Sequence, residues 1–151
     1  MRTYEHYEAA LLILTGLFFF EVFRICLSLR NQKFRLMKIL GIDVGGSGIK
    51  GAIVDTDLGE LVTEKFRLKT PRPAKPEAVA KVVHQIVDHF NWKGKVGVGF
   101  PTPLAHGKCM SGGNLHKKWK GVQVDTLFSD TTGLEFTVIN DADAAGEAEM
   151  H

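Results

Sequence analysis

The feature that most constrains this chain is a short glycine-rich segment between two apolar runs. Residues 39–55 read ILGIDVGGSGIKGAIVD, with Asp43 at the end of the first run and Gly45, Gly46 and Gly48 in the turn. Two apolar runs joined by so few small residues predict a β-hairpin. A larger side chain would block a phosphate from the backbone N–H groups of such a turn, and Asp43 can hold a metal ion or a water against that phosphate. The segment therefore predicts a phosphate site, and with it phosphoryl transfer.

A dinucleotide-binding fold is the first alternative, because Gly46, Gly48 and Gly51 satisfy the pattern G-x-G-x-x-G. That pattern requires a helix directly after the glycines. The residues that follow are too β-like for this helix and soon reach a turn at 56–59. A P-loop is excluded too, because no Gly-Lys-Ser/Thr sequence is present. A plain glycine hairpin without a ligand stays open, but it does not explain Asp43 at the mouth of the turn.

Length and composition indicate one globular domain whose charge gives no strong pull toward nucleic acid or membrane. The 151 residues suffice for a hydrophobic core, and a net charge of +2 with 24% charged residues does not favour nucleic-acid binding. Cys26 and Cys109 form no CxxC unit. This argues against a disulfide framework or a zinc site within the chain and predicts a reducing, cytoplasmic location.

Residues 1–36 differ from the rest of the chain. Residues 9–29 are mostly apolar, but Glu21 and Arg24 interrupt them, whereas a membrane span needs about 20 apolar residues. Three interpretations stay open: a membrane-anchoring helix, an amphipathic helix packed on another surface, and upstream sequence foreign to the natural protein. The third is favoured because Met37 offers a natural chain start. Membrane attachment is expected only if residues 9–29 are a real anchor.

From residue 37 onward the pattern predicts an α/β unit with a mixed sheet. Strands over 38–43, 49–55 and 60–68 form an antiparallel meander, followed by a proline-rich loop. Apolar residues at 3–4 spacing predict a helix from Pro76 to residue 90. The later predicted elements are a strand over 95–100, an irregular stretch over 101–121, a helix capped by Asp125 up to about residue 132, a strand over 136–139 and a helix over 142–150.

Polar residues at the end of the last predicted strand are the second group of interest. Asn140 and Asp141 follow that strand, and helix capping is the simpler local account of them. Ligands of α/β sheets, however, bind at the carboxyl ends of strands. If Asp141 faces Asp43 across a cleft, it can act as a general base on a hydroxyl. The Thr102 hydroxyl either faces the same cleft or belongs to a simple proline turn.

Two further segments carry polar groups. Gly112, Gly113 and Asn114 place an amide in a glycine-rich loop, and a polyol substrate needs such donor and acceptor groups. Residues 117–120 are three lysines around Trp119. A solvated loop with one buried tryptophan is the default interpretation of this cluster, and a patch for an anionic ligand is the alternative.

Together these segments resemble the ROK family of sugar kinases, and within it the polyphosphate glucokinases. The resemblance covers residues 38–150. It rests on residues 40–51, on 112–115 with Trp119, and on 138–149. It implies an actin-like, ribonuclease-H-type fold with two lobes, in which residues 37–151 are the N-terminal lobe.

The resemblance also implies roles for individual residues. Asp43, Gly45, Gly46 and Ser47 would form the phosphate-binding hairpin, with Lys50 close to it. The sugar contacts and the base would lie elsewhere in the chain: Asn114, Asn140 and Asp141 would contact glucose, and Asp141 would take the proton from its 6-hydroxyl.

The family also implies magnesium, held by Asp43 through water, and polyphosphate or ATP as phosphoryl donor. The lysines of residues 117–120 then become a possible polyphosphate contact. A homodimer of the full-length protein is possible. The rival interpretations are a sugar-responsive regulator without catalysis and a membrane-tethered sugar-binding domain. Family repressors carry a helix-turn-helix at the N-terminus, and residues 1–36 are too apolar and too poor in turn residues to form one.

The chain matches only the first part of a longer family pattern, so it is expected to be a truncated lobe. In-line phosphoryl transfer needs donor and acceptor held together. We therefore expect the purified 151-residue chain to show no useful kinase activity. Glucose phosphorylation by this chain at rates typical of a sugar kinase would contradict that expectation.

Overall fold

The first part of the fold is the antiparallel meander that the sequence predicts. A computed structural model describes residues 38–140 of the chain. Strand β1 spans Lys38–Val44 and pairs antiparallel with β2, Gly48–Asp55. The predicted third strand is instead split into β3, Glu60–Leu61, and β4, Phe66–Lys69, which both pair antiparallel with β2.

The side chain of Thr63 accounts for this break. Its hydroxyl oxygen accepts a hydrogen bond from the N–H of Ile53 at 3.0 Å, where a continuous strand would present a backbone carbonyl. The preceding residue, Val62, still donates its N–H to the carbonyl of Ile53 at 2.8 Å. The prediction of one uninterrupted strand over 60–68 was therefore wrong, although both halves pair with β2 as the meander requires.

Two further strands extend the sheet in the parallel direction. Strand β5, Val96–Phe100, pairs parallel with β1, and β8, Phe136–Asn140, pairs parallel with β5. Within residues 38–140 the strand order is β3-β2-β1-β5-β8, with β4 also on β2. Parallel neighbours need long crossover connections, and helices α1, Pro76–His89, and α2, Val124–Thr132, lie in these connections.

Helix α1 covers one face of the sheet. Pro76 occupies its first turn, where the missing N–H costs nothing. The apolar stripe predicted from the sequence faces inward, and Val79, Val83 and Ile86 are fully buried. A Cβ added at Gly51 on β2 would lie 2.6 Å from the Cγ2 atom of Ile86. The helix therefore approaches the sheet so closely that only glycine fits opposite Ile86.

Residues 101–121 are more ordered than the predicted irregular stretch. They contain a two-stranded ribbon, β6, Leu104–Ala105, and β7, Lys108–Cys109, and a 3-10 helix, Lys117–Trp119. The ribbon turns at His106 and Gly107, which both have positive φ, as a two-residue hairpin turn requires.

The side chain of Trp119 anchors this region to the core. It is fully buried, its ring centroid lies 4.8 Å from that of Phe100, and its indole N–H donates to the carbonyl of Ala74 at 2.8 Å.

Helix α2 forms where the sequence predicts it, but Asp125 is not its N-cap. Gln123 holds that position without a side-chain capping bond. Asp125 lies in the first turn, where its Oδ1 accepts from the N–H of Thr126 at 2.9 Å. The helix ends at Gly133, whose φ of 77° provides the left-handed C-terminal residue.

Several predictions fall outside the described residues. They are the apolar extension over 1–36, the base Asp141 and the helix over 142–150. Within residues 38–140, no helix combines the length and the apolar character that crossing a membrane requires.

The close contact between α1 and β2 can be tested by Gly51→Ala. The added methyl overpacks the space beside Ile86, so we expect a loss of about 1–3 kcal/mol in the free energy of unfolding. Urea denaturation measures this loss. Ile86→Leu removes the branch that the methyl would touch, so Gly51→Ala should cost less in that background. An equal cost in both backgrounds would contradict the contact.

Candidate functional site

The glycine hairpin has its carbonyl groups bound and two of its N–H groups free. Gly45 N–H donates to the carbonyl of Gly48 at 2.9 Å and closes the turn. Within residues 38–140, the N–H groups of Gly46 and Ser47 donate no hydrogen bond. Successive free N–H groups in a turn form a concave site that suits an anion.

The carbonyls of the turn are held by the segment that follows β4. The Thr70 hydroxyl donates to the carbonyl of Gly45 at 2.6 Å, and Thr70 N–H donates to that of Ser47 at 3.3 Å. The Arg72 guanidinium donates to the carbonyl of Gly46 at 3.0 Å. Because these donors hold the carbonyls on one side, the turn keeps a fixed shape with its free N–H groups available.

An ion pair lies beside the hairpin. The register of β1 and β2 places Asp43 directly opposite Lys50, and Lys50 Nζ lies 3.3 Å from Asp43 Oδ2. On its other side Asp43 is opposite Gly99 of β5, which has no side chain to cover the carboxylate. Both side chains keep partial exposure, 16% for Asp43 and 32% for Lys50. The structure thus brings together the predicted phosphate-site residues of the hairpin.

The glycines of the turn differ in why they are needed. A Cβ at Gly45 would lie 2.8 Å from the backbone carbonyl oxygen of Gly48, and one at Gly48 would lie 2.4 Å from the Arg67 guanidinium. A Cβ at Gly46 would meet nothing within 4 Å. The fold itself therefore does not require glycine at position 46, whereas a ligand on the turn would.

The side-chain amide of Asn140, at the end of β8, hydrogen-bonds to backbone carbonyls. Its Nδ2 donates to the carbonyl of Thr102 at 2.6 Å and, more weakly, to that of Phe100 at 3.4 Å. Thr102 is fully buried, and its hydroxyl lies 2.9 Å from the sulfur of Cys109. The Thr102 hydroxyl therefore contacts the interior of the β6–β7 region and not an open cleft.

The glycine-rich loop that carries Asn114 also packs against Thr102. Gly113 has φ of 51°, and a Cβ there would lie 2.7 Å from the Cγ2 of Thr102. The Cys109 thiol donates to the carbonyl of Ser111 at 2.9 Å. The Asn114 loop and the end of β8 are therefore neighbours through Thr102, and the Asn114 side chain is exposed.

The two halves of the predicted site share one edge of the sheet. Strands β1, β5 and β8 run parallel, so Asp43 and Asn140 both lie at carboxyl ends. One strand separates them, which puts β1 and β8 about 10 Å apart at the usual strand spacing. Asp141 lies outside the described residues and directly follows Asn140 in the chain. In residues 117–120 the lysines are exposed and Trp119 is buried, as the default interpretation states.

The sequence did not predict that three residues contact the hairpin: Arg67, Thr70 and Arg72. Arg67 lies directly opposite Lys50 in the β2–β4 register, and its guanidinium lies 3.4 Å from the Ser47 hydroxyl. They lie 20 to 26 residues from the hairpin groups that they bind. The alternation of charged and apolar residues in β4 was a signal for its outward face, but it does not reveal which strand lies next to it.

The similarity to solved structures of ROK sugar kinases, which share an actin-like fold, confirms the predicted fold class of an actin-like, ribonuclease-H-type lobe. The ROK family pattern matches residues 39–151, and the chain belongs to the ROK family.

Similar proteins include sugar kinases that are much longer than this chain. Polyphosphate glucokinase of Mycobacterium tuberculosis is 48% identical over 110 residues, which cover 72% of this chain and 42% of that protein. The Mycobacterium leprae polyphosphate glucokinase is 43% identical over 110 residues, covering 72% and 34%.

Among solved structures, the inorganic polyphosphate/ATP-glucomannokinase of Arthrobacter sp. strain KM matches with a TM-score of 0.69 and 44% identity, covering 74% of this chain and 47% of that chain. The chain spans less than half the length of each of these relatives.

The different roles of Gly45 and Gly46 give a direct test of the hairpin. Gly45→Ala pushes a methyl against a backbone oxygen, so it should cost about 1–3 kcal/mol of unfolding free energy. Gly46→Ala meets open space at a compatible backbone angle, so stability should stay the same or rise by up to about 1 kcal/mol. Thermal unfolding of both variants measures this. A large loss at position 46 would show that the fold needs that glycine.

Proposed function

We propose that residues 37–151 form the N-terminal lobe of a glucokinase-type phosphotransferase, which transfers a phosphoryl group from polyphosphate or ATP to the 6-hydroxyl of glucose. The observation that carries the proposal is the pair of free N–H groups at Gly46 and Ser47. They lie beside the Asp43–Lys50 ion pair, at the same sheet edge as Asn140. The names and the identities of the relatives support this choice of reaction.

The hairpin would bind the donor phosphate. The two free N–H groups would donate hydrogen bonds to the phosphate, and Lys50 would add a positive charge next to that phosphate. Since Thr70 and Arg72 already hold the carbonyls, binding the phosphate does not require the turn to rearrange. Such preorganised donors are an effective way to stabilise charge during phosphoryl transfer.

Asp43 fits the magnesium ion that the reaction calls for. Magnesium keeps several waters and takes one or two carboxylates together with the substrate phosphates. A single carboxylate that is partly exposed and not covered by Gly99 meets that requirement. Within the described residues no group of three acidic, histidine or cysteine side chains forms a complete metal cage. The ion would neutralise charge on the donor phosphates.

The acceptor side would be built from Asn114, Asn140 and Asp141. Asp141 would act as the base that takes the proton from the glucose 6-hydroxyl. The Asn140 side chain holds the carbonyl of Thr102, so it fixes the end of β8 next to the Asn114 loop. Asn114 is exposed and offers both a donor and an acceptor to a sugar hydroxyl.

A cytoplasmic location, with a homodimer in the complete protein, fits this function. A regulator without catalysis is less favoured, because the similar proteins reported above are named as kinases. Attachment to a membrane would depend on residues 9–29 alone.

A chimaera tests the proposal. Residues 39–151 would replace the corresponding segment of the Mycobacterium tuberculosis polyphosphate glucokinase, which supplies the remaining part of the kinase. We expect glucose 6-phosphate to form from polyphosphate and magnesium in a coupled assay. Asp141→Asn in the chimaera should lower kcat by about 10²–10⁴-fold, the usual contribution of a general base.

Gly46→Ala is the matched variant for the donor side. In the chimaera it should raise KM for the donor and leave KM for glucose unchanged, because the methyl covers the free N–H groups. A folded chimaera without activity would refute the proposed reaction. Full activity of the Asp141→Asn chimaera would refute only the role of the base.

A further inference from the structure

The surface next to the hairpin carries three cations to which the proposed reaction assigns no contact with the donor: Arg67, Lys69 and Arg72. Within residues 38–140, no carboxylate lies within ion-pair distance of any of them. All three are exposed. Lys50, by contrast, is paired with Asp43. The chain as a whole has a net charge of only +2, so the positive charge of this surface is largely balanced by carboxylates elsewhere in the chain.

The strand register fixes where these cations lie. Lys50 on β2 is opposite Arg67 on β4, and Gly48 is opposite Lys69. Side chains alternate along a strand, so Arg67 and Lys69 share the face of Lys50 and Asp43. Phe66 points to the other face, where its ring stacks on His89 of helix α1 at 3.6 Å.

Arg67 and Lys69, both on β4, lie on one side of the hairpin. Along the sheet edge the order is β8, β5, β1, β2 and β4, so β4 lies on the side of the hairpin away from Asn140. If the acceptor sugar lies near the end of β8, a donor bound at the hairpin extends away from it, across β2 and β4. Arg72 extends the same surface, because its guanidinium is held at the carbonyl of Gly46.

We propose that Arg67, Lys69 and Arg72 form a subsite for the distal phosphates of an inorganic polyphosphate chain. This inference rests on the proposed function and names its donor. A repeating anion matches a repeating row of cations. The outward side of β4 carries Arg67 and Lys69, whose charges match phosphate groups, and offers no apolar side chain to a nucleoside.

This assignment differs from the lysines of residues 117–120, the other basic group. In the part of the chain that the structure describes, none of those lysine side chains donates a hydrogen bond to a hairpin group, and their neighbour Trp119 donates to Ala74. Arg67 and Arg72, by contrast, donate directly to hairpin groups. The cations beside the hairpin and the lysines of residues 117–120 are therefore separate candidate contacts for polyphosphate, and each can be tested with its own variants.

Isothermal titration calorimetry on the 151-residue chain tests the subsite, with medium-length polyphosphate, pyrophosphate and ATP as probes. The double variant Arg67→Gln/Lys69→Gln should bind polyphosphate on the order of tenfold more weakly, and the slope of log affinity against log salt should fall by roughly two. Pyrophosphate and ATP affinities should change by less than about threefold, because these donors are held mainly at the hairpin.

Two control pairs remove the same charge elsewhere: Lys118→Gln/Lys120→Gln and Lys81→Gln/Lys93→Gln. Both should leave polyphosphate affinity within about twofold of the unchanged chain. An equal loss in either control, an equal loss for ATP, or no polyphosphate binding by the unchanged chain would overturn the subsite. Circular dichroism confirms that each variant is folded.

The outcome separates this inference from the proposed reaction. If the chimaera is inactive but the Arg67/Lys69 pair still controls polyphosphate affinity, the subsite stands and the phosphotransferase proposal fails. If the chimaera is active on polyphosphate and the pair has no effect on affinity, the subsite fails alone.

Discussion

The central position of β1 is the constraint on which the rest of the structure depends. This strand pairs antiparallel with β2 and parallel with β5. Antiparallel pairing lets a tight glycine turn follow Asp43 at once, whereas parallel pairing sends the chain through a helix before it returns. Because β1 does both, the hairpin and Asn140 at the end of β8 lie at one edge of the sheet.

The loop over residues 70–75 makes hydrogen bonds both to the hairpin and to Trp119. Thr70 and Arg72 hold the hairpin carbonyls, and the carbonyl of Ala74 accepts the indole N–H of Trp119. A second set of contacts ties the Asn114 loop to β8 through Thr102. The hairpin and the end of β8 are therefore both held by hydrogen bonds, which is what the proposed reaction would require of its positioning groups.

The sequence pattern predicted most of the fold because periodicity and turn composition reflect interactions between residues that are close together in the chain. The apolar stripe of α1, the strands β1, β2, β5 and β8, and the glycine hairpin all follow from periodicity and turn composition. One error arose where a side chain replaced a backbone partner, because the hydroxyl of Thr63 interrupts the third strand. The other two arose from the backbone itself: the N-cap of helix α2 is Gln123, which makes no side-chain capping bond, and the ribbon at Leu104–Cys109 depends on positive φ at His106 and Gly107.

The sequence by itself determined the glycine hairpin, the carboxylate at its mouth and the polar end of β8, because the spacing of glycines and apolar residues is sufficient to specify where strands end and turns begin. Only the tertiary structure decided what surrounds that hairpin. Arg67, Thr70 and Arg72 reach it because β4 pairs with β2, and the sequence does not state which strands are neighbours. The structure likewise turned the Asn140 amide and the Thr102 hydroxyl inward, since buried polar groups must find hydrogen-bond partners.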